Sequence, residues 1–253
     1  MSKTVAVINS KGGVAKTTTA SALVSGLKLR SFRTLAVDLD AQGNLGHIMS
    51  VSDDAPTIVD LFSGKSSAVK TIQSLEQGDI IASSPELATA EAFVTGMGRE
   101  YKLKEILAPL ASMYDAIILD LPPGLGIITV NALTAATDVI IPVQADALSL
   151  KALEQMYQII KAIQENSNPS LCIRGILLTR YSPRSILSRD LANTFQQVAK
   201  NISTKVFTST IREGIAIKEA QARQKDIFSY APQANVTEDY VSFVDELIAD
   251  LKI

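Results

Sequence analysis

Two kinds of segment alternate along the chain. Short apolar runs without polar alternation, such as Val5-Ala6-Val7-Ile8, read as strands buried on both faces of a parallel sheet. Thr34 to Leu39, Tyr114 to Asp120 and Leu171 to Thr179 carry the same pattern, and Ile80-Ile81-Ala82 is a shorter candidate. Longer segments with helical spacing lie between them. Residues 16–30 predict a helix that closes near Lys28 and Arg30, cations that suit a helix C-terminus. Residues 129–144 predict a helix followed by a strand, and residues 147–164 a helix ended by Asn166 to Pro169. In residues 237–253, Tyr240, Val241, Val244, Leu247, Ile248 and Leu251 recur at helical spacing. Residues 54–62 predict a loop feeding a short helix, and 85–92 and 99–110 predict helices. No chemistry is visible between 53 and 112. Apolar strands alternating with helices predict an α/β fold, and 253 residues suit one such domain over 1–253.

Composition narrows this picture. Hydrophobic residues make up 47% of the chain with no Trp, which predicts Ala/Val/Ile/Leu packing between helices and sheet. A single cysteine, Cys172, excludes an intramolecular disulfide and suits a reducing compartment; its apolar surroundings predict an inert core residue. A single histidine, His47, leaves no zinc constellation. No apolar stretch approaches the roughly 20 residues of a membrane span, and no charged-then-apolar leader opens the sequence, so the expected location is the cytoplasm.

Chemistry enters between residues 8 and 18. The first strand breaks at Gly12 and Gly13, and Lys16-Thr17-Thr18 opens the next helix. Strand, glycine loop, Lys-Thr and helix form the context of a phosphate-binding loop. Backbone N–H groups of Gly12, Gly13, Val14 and Ala15, with the free helix N-terminus, suit phosphate oxygens. Lys16 is the candidate for the β- and γ-phosphates, Thr17 for direct ligation of Mg²⁺, and Thr18 for a further nucleotide contact. Ser10 and Ala15 stand where the usual pattern has Gly. If position 15 needs a positive φ, alanine there costs on the order of 1 kcal/mol.

A second strand delivers Asp38 and Asp40 to its C-terminal end, the edge where open α/β sheets bind ligands. Carboxylates two apart on a strand point the same way, one toward a metal's water shell and one toward an attacking water. A third strand ends in Asp120 and turns at Pro122-Pro123-Gly124, the pattern of a carboxylate held behind the metal.

Lys11-Gly-Gly-x-x-Lys16-Thr-Thr resembles the deviant phosphate loop of the ParA/MinD ATPases, and within them the ParA-type partition branch. Asp-x-Asp-x-Gln-Gly-Asn at 38–44 is similar to that family's switch I, with Ala41 where proline is common. The Pro-Pro turn is similar to its switch II, with Leu121 and Gly124 departing from the usual residues. Residues 129–144 are also similar to ParA. The resemblance implies a doubly wound, mostly parallel twisted sheet with helices on both faces. It implies a Mg²⁺-dependent ATPase with ATP and ADP as ligands, and a homodimer holding two ATPs, with Lys11 reaching the partner's nucleotide. It implies Asp40 on the attacking water, Asp38 and Asp120 behind the metal, Asn131 as a candidate interface residue, and an adenine pocket after Thr179 and around Pro232. A ParB-like or cargo-adaptor protein would stimulate hydrolysis.

Charge distribution addresses the remaining partners. The net charge is −2, yet Arg174 to Lys225 holds ten basic residues against three acidic ones, a local net of +7. Such a tract predicts DNA binding through phosphates without base readout, hence nucleoid association in the ATP state. Arg184, Arg189, Arg212, Lys218, Arg223 and Lys225 are the candidate contacts. The final helix carries five acids against Lys252 alone, which predicts packing on the core and disfavours a membrane-cycling role. Positioning of a protein organelle or cluster on the nucleoid stays open as an alternative cargo. An electron carrier sharing the loop would need paired thiolates that Cys172 alone cannot supply.

Overall fold

Seven strands form one sheet in the order β3-β4-β2-β5-β1-β6-β7. They are β1 (Lys3–Val7), β2 (Thr34–Asp38), β3 (Gln73–Leu75), β4 (Gly78–Ile81), β5 (Ala116–Asp120), β6 (Asp138–Gln144) and β7 (Cys172–Thr179). All neighbours run parallel except β3 with β4, a short edge hairpin of which the sequence predicts β4, at Ile80 to Ala82, but not β3. The computed structural model describes residues 2–253, apart from the side chains of Glu91 and Ala147.

Helices cover both faces. They are α1 (Lys16–Lys28), α2 (Asn44–Met49), α3 (Ile58–Phe62), α4 (Ala68–Thr71), α5 (Lys102–Leu107), α6 (Ile127–Ala135), α7 (Ala147–Asn166), α8 (Ile186–Asn201), α9 (Ile215–Ala222), α10 (Ile227–Tyr230) and α11 (Asn235–Leu251). Alternate strand residues feed two separate cores. Val5, Val7, Ala36, Ile118 and Ile140 face Leu23 and Leu27 of α1 and Tyr240, Phe243 and Leu247 of α11. Ala6, Leu35, Val37, Leu119 and Ile141 face α5 to α8. Burial on both sides is why these strands read as unbroken apolar runs. The approach of α1 to α11 depends on Gly26. A Cβ there would lie 2.7 Å from Val244 Cγ2 and 3.1 Å from the Phe228 ring.

Several expectations change. Residues 85–92 form a 3₁₀ segment kinked at Thr89, and 99–110 divide into 3₁₀ turns on either side of α5. Pro109, which lacks a backbone donor, is the second residue of the last of these turns. Cys172 is exposed, because it is the first residue of the outer strand β7 and burial begins at Ile173. Asn131 is no interface residue in this chain. It is fully buried, accepts from Leu103 N at 3.0 Å, and donates to the carbonyls of Arg99 and Ile127. It ties α6 to the segment before α5.

Candidate active site

The loop between β1 and α1 is held from outside. Asn9 Nδ2 donates to Pro142 O at 2.7 Å, Gln144 Nε2 to Gly13 O at 3.2 Å, and Thr179 Oγ1 to Val14 O at 3.2 Å. The last two bonds occupy loop carbonyls, Asn9 Oδ1 accepts from Lys11 N at 2.9 Å, and the N–H groups of Gly12 to Ala15 are left for a ligand. Val14 itself is buried. Gly13 sits at φ 76°, and Ala15, which caps α1, at φ 66°. The positive φ anticipated for Ala15 is therefore present, with its expected cost of about 1 kcal/mol. No side chain caps α1 and no acid occupies its first turn, so its N–H groups and positive dipole end face the cleft.

Lys16 is the first residue of α1 and is 8% exposed. Its Nζ folds back to Lys11 O at 3.3 Å. Burial lowers its pKa, and the charges of Asp120 and Asp40 oppose that shift. Asp38 and Asp120 end adjacent parallel strands in direct register. Both are buried. Asp38 accepts from Asp40 N at 3.1 Å and Gly46 N at 3.0 Å. Burial pushes its pKa up to about 6 against those two bonds. Neither oxygen of Asp120 has a hydrogen-bond partner among the described residues. Burial drives its pKa well above the carboxylate range, the Asp38 charge adds to this, and Thr17 and Lys16 oppose it. Paired, desolvated carboxylates beside a threonine hydroxyl suit a hard cation with oxygen ligands. The orphaned oxygens of Asp120 fit magnesium held through Thr17 and water. Asp40 is half-buried, accepts from Gln42 N at 3.0 Å, and lines the cleft.

The cleft has a volume of about 560 Å³. One wall is the loop with Gly12, Gly13, Ala15, Lys16, Thr17 and Thr18. The other comes from Thr179, Arg180, residues 211–214, α9 and Tyr240, with His47 and Ile48 on α2. Part of this second wall follows Thr179, where the family resemblance places the adenine pocket. α9 is not predicted, because its only cue in the sequence is a short apolar-polar alternation. Pro232 is not among the lining residues.

Two groups of candidates lie elsewhere than anticipated. Lys11 Nζ does not point free of the chain; it contacts Asp146 Oδ2 at 2.5 Å and Ser149 Oγ at 3.5 Å. Burial works against the Asp146 carboxylate, but hydrogen bonds from Lys11 and Ser149 and the Lys11 charge hold its pKa below the usual value. The basic tract is also partly neutralised in space. Asp239 of α11 grips Arg212 through its backbone N–H and guanidinium, Glu246 and Asp250 meet Lys205, and Asp138 meets Arg174. Arg212 and Lys218 line the cleft, with Lys218 Nζ 3.9 Å from Glu213. Arg184 and Arg189 at the start of α8, and Arg223 and Lys225 after α9, remain exposed.

A glycine loop opening a helix at the C-terminal edge of a parallel sheet, with a buried lysine and paired strand-end carboxylates, defines a P-loop nucleotide hydrolase. Comparisons with known proteins agree. A family model described as an AAA domain matches residues 2–173. The sporulation initiation inhibitor protein Soj of Bacillus subtilis is 34% identical over 99% of this chain and all of its own length. The chromosome-partitioning ATPase Soj of Treponema pallidum is 34% identical over 98% of each. Among solved structures, cobyrinic acid a,c-diamide synthase from Mycobacterium smegmatis with bound ADP and magnesium is 33% identical. It superposes with a TM-score of 0.84 over 100% of this chain and 96% of that one. The chain belongs to the ParA/MinD-type P-loop ATPases, and within them it is a partition-type ATPase.

Proposed function

We propose that this ATPase, acting as one domain, is a nucleotide-dependent dimer switch that binds DNA without sequence readout. Partition or positioning of a cargo would follow from its stimulation by a ParB-like or adaptor partner. The observation that carries the nucleotide part is the Asp38–Asp120 pair, buried in register beside Thr17 with the Asp120 oxygens unpartnered. In this reading the loop N–H groups and Lys16 bind the β- and γ-phosphates of ATP. Thr17 holds Mg²⁺ directly, and Asp38 and Asp120 hold it through water. The cation would neutralise phosphate charge as the terminal bond breaks. Asp40 orients the attacking water. Lys11 leaves Asp146 for the nucleotide of a second copy. That exchange is inexpensive, because a half-exposed ion pair stabilises by about 1 kcal/mol or less.

Four exposed cations, Arg184, Arg189, Arg223 and Lys225, support the DNA part. Dimerisation would double this surface and raise avidity. A membrane-cycling role receives no support from α11. Its apolar face is buried, and its acids Asp239, Asp245, Glu246 and Asp250 engage Arg212, Arg30 and Lys205.

The test measures binding to a random-sequence duplex with ATP, ADP or no nucleotide across a salt series. Binding that requires ATP and weakens steeply with salt is expected. Binding insensitive to nucleotide or to salt would overturn the proposal. Asp40→Ala is expected to lower hydrolysis at least about 100-fold while DNA stays bound with ATP. A wild-type hydrolysis rate in that variant removes the role given to Asp40.

A further inference from the structure

Two hydrogen-bonded arms leave the nucleotide cleft and meet at one turn outside it. The first starts at Thr18, one residue beyond the proposed metal ligand. Gln221, on the cleft side of α9, donates through Nε2 to Thr18 Oγ1 at 3.0 Å. A hydroxyl that accepts one bond still has a proton to donate. A phosphate oxygen receiving that proton polarises the hydroxyl and strengthens the Gln221 bond.

The second arm starts at Asp38, whose Oδ2 holds Gly46 N in the first turn of α2. At the far end of α2, the His47 carbonyl accepts from Gln224 Nε2 at 3.1 Å, and the Ile48 carbonyl accepts from Gln77 Nε2 at 3.1 Å. Gln77 Nε2 also donates to Gln224 O at 2.9 Å. Ser50, which follows α2, lies 3.4 Å from Gln224 Oε1. The P-loop helix and the switch I helix thus converge on residues 221–225.

This turn is held rather than relaxed. Gln224 has φ 53°, a left-handed conformation that costs a non-glycine residue about 1 kcal/mol or more. On either side of it, Arg223 and Lys225 are exposed, and neither forms an ion pair among the described residues. The nearby acids are occupied by hydroxyls. Glu219 is met by Tyr230, and Asp226 by Ser229. Arg223 is steadied over the Tyr230 ring, 5.8 Å from its centroid.

We infer that Arg223 and Lys225 are duplex-phosphate contacts whose position is set by the occupant of the nucleotide cleft, with Gln221 and Gln224 as positioning residues. This rests on the DNA-binding reading above and adds the surface and its control. ATP with magnesium acts on both arms, through Thr18 and through Asp38. Loss of the γ-phosphate relaxes the arm through α2, and the turn with its two cations loses its fixed geometry.

The experiment uses the full chain, a fluorescent random-sequence duplex, and saturating ADP or a slowly hydrolysed ATP analogue over a salt series. The double variant Arg223→Ala/Lys225→Ala is expected to weaken binding with the ATP analogue about 10-fold or more. It should also reduce the log–log salt slope by about 2. Gln221→Ala and Gln224→Gly are expected to narrow the ATP-to-ADP affinity ratio by about 3- to 10-fold each, with the slope unchanged. Glycine at 224 accepts the left-handed backbone, so that variant removes the side-chain bonds alone. A full ratio in both glutamine variants, or a wild-type slope in the double variant, overturns the inference. Hydrogen exchange at the amides of 222–225 separates the two readings. Slower exchange with the ATP analogue than with ADP, abolished by Gln221→Ala, is expected even if no DNA binds. That exchange difference without duplex binding would overturn the DNA reading and leave the relay standing. Equal exchange in both states overturns the relay whatever the DNA result.

Discussion

The two ends of the sheet treat their acids in opposite ways. At the N-terminal edge each acid is answered inside the chain. Asp138 at the start of β6 is met by the Arg174 guanidinium and the Thr137 hydroxyl, Asp115 before β5 by Arg33, and Asp79 at the start of β4 by Tyr114 at 2.6 Å. At the C-terminal edge, Asp38 and Asp120 stand side by side without a cation in contact. Asp120 makes no hydrogen bond of normal geometry among the described residues, with the Thr17 hydroxyl near enough to lower its pKa. Like charges directly opposed across strands destabilise a sheet. The first arrangement serves the fold. The second holds charge in readiness for a ligand, at a cost to the empty protein.

The largest test breaks the satisfied end. Asp138→Ala strands the one-quarter-exposed Arg174 guanidinium beside an apolar site. It is expected to destabilise the protein by on the order of 3 kcal/mol in urea unfolding, with nucleotide affinity in the folded protein little changed.

The next test relieves the unsatisfied end. Asp120→Asn is expected to stabilise the nucleotide-free protein by about 1–2 kcal/mol and to abolish the extra thermal shift that magnesium adds to ATP. The same end gives a pH signature. A carboxyl whose folded pKa is raised binds its proton more readily in the native state. Its contribution is therefore fully present below the unfolded value of 3.8 and is lost as pH rises through about 6. Metal-free protein in chelator should gain stability between pH 7.5 and pH 5.5. Asp38→Asn/Asp120→Asn should flatten that rise, and an unchanged rise would locate its cause elsewhere. Below about pH 4 the ion-paired carboxylates Asp115 and Glu246, whose pKa values are lowered, reverse the trend.

The smallest effect sharpens the comparison at the loop itself. Ala15→Gly relaxes a φ of 66° and is expected to stabilise by about 0.5–1 kcal/mol, after the greater freedom of glycine in the unfolded chain is counted. A loss of stability would show that the loop does not store strain at this residue.

The legibility of the molecule follows from the range of the forces involved. The loop, Asp38, Asp40 and Asp120 were visible because each closes an apolar strand, and a strand buried on both faces announces itself within five or six residues. Ala15 and its left-handed turn were legible for the same local reason. The far wall of the cleft was not, because Ile211, Lys218 and Tyr240 come together only through packing of α9 and α11 over the sheet. The neutralised part of the basic tract was not legible for a related reason. Charge counted along the chain takes no account of Asp239, Glu246 and Asp250, which lie 27 to 45 residues away from the cations they meet. Asn131 and Cys172 exchanged their expected places because a helix-face amide and a strand-tip thiol look alike in sequence whether buried or not.

Gly26 carries a last consequence. Ten residues, or about 15 Å of helix, separate it from Lys16. Over that span α1 is a stiff rod, with the phosphate loop at one end and α11 pressed against the other. The Tyr240–Thr19 contact at 3.4 Å pins it partway along. Val244 and Phe228 therefore set the height at which the loop stands, although neither touches the cleft. A methyl group added at position 26 would tip the rod unless Val244 shrank in step. Across descendants of this sequence the two positions should drift together, leaving a record of the chemistry in residues that take no part in it.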